Sequence, residues 1–99
     1  MKQPVWLLEE LAIAVQQMLL AEHGGTTGMR DRELLESALT RPRQRFAHPD
    51  EVSIYDLAAS YCYGVAKNHP FVDGNKRVSL TIAALFLELN GYDFDAPEA

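Results

Sequence analysis

Nine consecutive residues, His69-Pro70-Phe71-Val72-Asp73-Gly74-Asn75-Lys76-Arg77, gather a histidine, a carboxylate, a carboxamide, a lysine and an arginine around one glycine. An imidazole changes charge near neutral pH and can take a proton from a hydroxyl nucleophile, which makes His69 a candidate general base. Asn75, Lys76 and Arg77 direct N–H groups, a point charge and a planar fork at one volume, a combination suited to a chain of phosphates. Asp73 fits beside phosphates if Mg2+ lies between them. Pro70 and Gly74 hold an irregular loop, and Gly74 admits a backbone approach to a ligand that a side chain would block. Taken singly, such residues are more often a satisfied histidine and a solvated basic helix start. Two cations in a first helical turn, where the macrodipole disfavours positive charge, argue against that plain reading of the set.

The element that must carry this turn follows directly. Val78 to Leu89 holds a single charge, Glu88, is apolar on nearly every side, and is closed by Asn90-Gly91. A helix of that kind is expected to be buried all round, the centre of an all-α bundle, with its first turn offering free N–H groups to an anion. Upstream, Ser53 with Asp56 resembles a capping box, and Ile54, Leu57, Ala58, Tyr61, Cys62 and Val65 keep helical spacing to about Asn68. This third helix delivers His69 at its C-terminal end, so two helix ends bracket the candidate site.

Earlier in the chain, Leu8, Leu11, Val15 and Met18, with Leu7 and Leu19 beside them, predict a first helix from about Val5 to Glu22, stopped by Gly24-Gly25. Asp31 is a suitable N-cap for a short second helix through about Leu39, with Leu34, Leu35 and Leu39 inward and Pro42 ending it. From Arg41 to Val52 the pattern reads as loop, its three arginines a solvated face. His23 and His48 lack ligand partners at useful spacing and are expected at the surface. Tyr92 to Pro97 reads as an extended tail.

Composition is that of a single small globular domain spanning residues 1–99, with 47% apolar residues. A net charge of −5 and a pI near 5.0 argue against direct nucleic-acid binding, which relies on basic surface. The lone Cys62 has no internal disulfide partner and reads as a core residue. Glu9, Glu10, Gln16 and Gln17 interrupt the N-terminal apolar run, and no stretch approaches the ~20 apolar residues that cross a membrane.

The motif resembles that of the Fic/Doc superfamily. Its adenylylating Fic branch reads H-P-F-x-[DE]-G-N-G-R-x-x-R, and here Lys76 stands for the second glycine and Leu80 for the last arginine. Its Doc branch, toxins of toxin–antitoxin pairs, reads H-x-F-x-D-[AG]-N-K-R, which this sequence matches throughout. The segment from His23 to Asp31, H-G-G-T-T-G-M-R-D, is also similar to the Doc branch. The resemblance implies a Fic-fold helical bundle and transfer of the γ-phosphate of ATP to a hydroxyl of a protein target. His69 would then be the base, and Asp73 would hold Mg2+. Gly74, Asn75, Lys76 and Arg77 would bind the ATP phosphates, with Lys67 a second-tier contact. It further implies a cytoplasmic protein with a Phd-like antitoxin and a target in the translation machinery, elongation factor Tu in the known cases. A target-docking flap would fall at Phe46 to Glu51. Relatives usually continue with further helices, so either the chain is truncated or another chain covers the open face of the last helix. An adenylyltransferase and a non-catalytic binding module are the competing expectations.

Overall fold

The computed structural model describes residues 1–93 of the chain. Four helices follow one another: α1 (Glu9–His23), α2 (Arg32–Arg45), α3 (Ile54–Asn68) and α4 (Asn75–Leu89), with a short 3-10 turn at Pro49–Glu51. No strand occurs among the described residues, only an isolated antiparallel bridge between Met29 and Phe71, so the all-α expectation holds. The tail expected from Tyr92 to Pro97 falls largely outside the described residues.

α1 begins later than its apolar spacing predicts. Residues before Glu9 stay outside the helix, and side chains rather than a helical turn take backbone groups of Val5 and Leu7. The Asn90 carboxamide accepts from Val5 N–H at 2.7 Å and donates to its carbonyl at 3.0 Å, and Leu7 N–H donates to the Tyr61 hydroxyl at 3.0 Å. Glu9 and Glu10 then meet the positive end of the helix. Its inward stripe is Ala12, Val15, Gln16 and Leu20, whereas Leu8 and Met18 are 61% and 50% exposed. Apolar periodicity placed that stripe wrongly because a glutamine sits in its middle. Gly24 ends the helix as expected, its N–H donating to Leu20 O.

Asp31 caps α2 as expected, accepting from Glu33 and Leu34 N–H. The helix does not stop at Pro42: it runs to Arg45, with Pro42 buried inside it. Segment Arg41–Arg45 is therefore helix, not loop. Burial of Leu35, Ala38, Leu39 and Pro42 against α3 outweighs the breaker preference of proline. At the crossing, α3 presents Gly64. A β-carbon built there would lie 3.1 Å from Ala38 Cα and 3.2 Å from its carbonyl oxygen, so a larger residue would push the two helices apart by a few tenths of an ångström. The arginines also differ from a bare solvated face: Arg41 lies over the Tyr63 ring and Arg43 over that of Trp6.

The Ser53–Asp56 capping box is complete, at 3.1 Å and 2.8 Å. α3 packs extensively on both α2 and α4, and α4 packs also on α1. The hub of the bundle is thus α3. α4 buries Val78, Ser79, Ile82, Phe86 and Leu87 but leaves Leu80 56% exposed, so its all-round apolarity exceeds its burial. Phe86 touches Tyr61 and stacks on Trp6, tying the N-terminal segment to the core. Cys62 is half-buried, and its thiol lies 3.7 Å from Ser79 Oγ. His23 and His48 are exposed, as expected. No helix among the described residues is long and apolar enough to cross a membrane.

Candidate functional site

α3 ends in a conformation that side chains with a β-carbon rarely adopt. His69 caps it with φ 50° and ψ 56°, alone among the described non-glycine residues in positive φ, and its N–H donates to Val65 O. Arg30 holds this end. Its guanidinium donates to His69 O at 2.7 Å and to Asn68 O at 2.8 Å, satisfying carbonyls that the helix leaves without a partner.

The loop after His69 is fastened along one edge. Arg30 and Asp31 N–H both donate to Pro70 O, Met29 bridges Phe71, and Val72 N–H donates to Gly28 O. Phe71 is buried as the anchor. Asn75 closes the other side: its Oδ1 accepts Phe71 N–H and its Nδ2 donates to Phe71 O, each at 3.0 Å. That buried carboxamide is committed to the loop, so its expected phosphate contact is left to its backbone N–H.

Asp73 then turns the chain into α4. Its Oδ1 accepts Gly74 N–H at 2.8 Å and its Oδ2 accepts Thr26 N–H at 3.3 Å. Gly74, at φ 77°, is the N-cap of α4 and supplies no side-chain cap, and the first turn holds no acid. The first α4 amide to find a backbone partner across this turn is Val78, on Gly74 O. The turn before it therefore faces outward with Lys76 and Arg77 exposed.

These groups converge on a cleft of about 550 Å3, lined by His69, Val72, Asp73, Gly74, Asn75, Lys76 and Arg77, together with Leu20 and Gly24. Six of the seven site residues expected from the sequence are brought together. Lys67 does not line the cleft, and its ammonium lies 5.5 Å from the Tyr63 ring centre. The arrangement offers a histidine, two cations and an open helix N-terminus, which suit an oxyanion chain beside a hydroxyl to be deprotonated. No group of three or more His, Cys, Asp or Glu residues converges among the described residues. The one cleft carboxylate, Asp73, matches the way Mg2+ is held with phosphate oxygens completing its shell rather than an all-protein cage.

Sequence reasoning missed Gln16, Arg30 and Leu20. By residue type Gln16 reads only as a break in an apolar run, although its spacing from Ala12 and Leu20 puts it in line with buried positions.

A family model described as the Fic/DOC family matches residues 6–87, a span that includes both site loops. The chain is 37% identical over 91 residues to a protein named Protein kinase doc from Escherichia phage P1, covering 91% of this chain and 71% of that one. It is 38% identical over 81 residues to Toxin Doc of Mycolicibacterium smegmatis, covering 77% of this chain and 62% of the relative.

Proposed function

The chain belongs to the Fic/DOC family, and from that premise we propose a Doc-like toxin that transfers the γ-phosphate of ATP to a protein hydroxyl. The observation that carries the reading is the open first turn of α4, where Lys76 and Arg77 stand in one cleft with His69 and Asp73. The phosphate chain lies along that turn, on its N–H groups and the two cations. His69 takes the proton from the attacking hydroxyl. Asp73, with phosphate oxygens, would hold Mg2+, which when bound neutralises phosphate charge.

Orientation of the nucleotide decides which group moves. Lys76 fills the place that a glycine leaves open in the adenylylating branch. Leu80, where that branch has an arginine, lines a separate groove between α3 and α4 with Ala59, Cys62 and Ala83. No cation from that position serves distal phosphates, which supports placing the γ-phosphate beside the hydroxyl. Gly74, shared with the adenylylating branch, makes AMP transfer the outcome to separate. The name of the phage relative, a protein kinase, favours phosphate. A cytoplasmic target in the translation machinery, with elongation factor Tu the first to try, and a Phd-like antitoxin complete the proposal.

The test is transfer from ATP labelled at either end. The γ-label should mark the target and the α-label should not, and intact mass should rise by one phosphate, a group carrying about −1.5 to −2 charges. A mass shift of one AMP would overturn the reading. So would an unmodified target, in favour of a binding module.

A further inference from the structure

Gln16 is 1% exposed and lies on α1, far along the chain from the motif and the helices that flank it. Its Nε2 donates to Asp73 O at 3.2 Å and to Thr26 O at 3.4 Å, and its Oε1 accepts Gly28 N–H at 3.4 Å. All three partners are backbone groups of the two loops that form the cleft. Thr26 N–H in turn donates to Asp73 Oδ2, which closes a ring: Gln16 to Thr26, Thr26 to the Asp73 carboxylate, and Asp73 back to Gln16. The ring is packed tightly. A β-carbon on Gly25 would lie 2.6 Å from Asp73 Oδ2 and 2.9 Å from Leu20 Cδ2, one helical turn beyond Gln16.

A buried glutamine with satisfied groups is ordinarily a matter of stability alone. Here one bond fixes the backbone carbonyl of Asp73, and another fixes the carbonyl of Thr26, whose own N–H donates to the Asp73 carboxylate. We propose that Gln16 is a positioning residue that aims the Asp73 carboxylate, and thereby sets affinity for a nucleotide's Mg2+ complex. The inference rests on the nucleotide-site reading above. The histidine end is held independently by Arg30, through the last carbonyls of α3. The two ends of the site are therefore set by different residues.

Gln16→Met keeps length and packing but can neither donate to Asp73 O nor accept from Gly28. Calorimetric binding of a non-hydrolysable ATP analogue should weaken by ~10–100-fold in the presence of Mg2+, the range for losing a group that orients a metal ligand. Binding in chelator, without the metal, should stay as in the parent. Arg30→Ala should instead lower the transfer rate and leave the ratio of metal-bound to metal-free affinity as in the parent. If Gln16→Met does not fold, Gln16→Asn, one methylene too short to reach both loops, should show the same metal-selective loss. An equal loss with and without Mg2+, or none, overturns the positioning role. A parent protein that binds no Mg2+·nucleotide overturns the proposed function itself, and this inference with it.

Discussion

His69 combines the two costs that functional residues carry: an exposed reactive side chain and a backbone in left-handed space. Its side chain adds little packing, so glycine is the better residue for the fold at this helix end. His69→Gly should raise stability by about 1 kcal/mol, the order of the left-handed penalty for a residue with a β-carbon. A higher urea midpoint would check this. The same change should lower transfer by ~10²–10⁴-fold, the range for losing a positioned general base. A lowered midpoint would mean that the imbalance at His69 is absent. Arg77→Ala should cost ~10²–10³ in rate, by analogy with a lost donor to developing negative charge. At this scale the sequence was most legible, because the motif packs its chemistry into consecutive residues. What it hid was division of labour. Asn75 reads as a ligand by type, yet its carboxamide folds the loop through Phe71. Gln16 and Arg30 act from 57 and 39 residues away in the chain, and no local pattern marks such contacts.

Among the elements, the helices that place the site were legible where local chemistry ends them. Gly24, Asp31, the Ser53–Asp56 box and the start of α4 at Asn75 all fall as expected. Pro42 misled because its usual effect was outweighed by tertiary packing, centred on the Ala38–Gly64 crossing. Gly64→Ala tests that crossing. The alanine gains about 1 kcal/mol in helix propensity, but its β-carbon meets backbone atoms that cannot swing away, and overpacking costs typically 1–3 kcal/mol. Net destabilisation in urea is expected, and a gain would mean that the helices slide apart freely. The capping box adds a pH dependence. The Ser53 backbone N–H, then its hydroxyl, hold the exposed Asp56 carboxyl below the usual carboxylate range. A carboxyl lowered on folding stabilises above its unfolded value, about 3.9, and that contribution fades as pH falls through the folded value. Asp56→Asn should therefore flatten stability on the acid side of about pH 4, a small effect because the pair is exposed.

For the molecule as a whole, the N-terminal segment is stitched to the far end of the chain by side chains. Tyr61 is fully buried, and burial pushes its phenol above the usual range, so the hydroxyl stays protonated while it accepts from Leu7 N–H. Tyr61→Phe should cost ~1–3 kcal/mol, the range for leaving a buried donor without a partner, read as a lower thermal midpoint. The overall order of helices was legible from periodicity. Their arrangement was not, since an apolar surface does not say whether it is covered: α4 looked central, and α3 holds that place.

Four of the seams between distant parts of this fold are closed by primary amides. Gln16 joins the site loops, Asn68 donates to Leu34 O, Asn75 folds back on Phe71, and Asn90 grips Val5. An amide neither gains nor loses a proton across the range in which proteins are assayed. These amide seams are consequently silent to acidity. They should be almost as silent to salt, because hydrogen bonds between neutral groups use no long-range attraction, whereas the phosphate contacts proposed for Lys76 and Arg77 are screened over about 8–10 Å at ordinary ionic strength. Raising sodium chloride should thus weaken nucleotide binding while leaving the melting temperature near its low-salt value. The protein would lose its ligand long before it lost its shape.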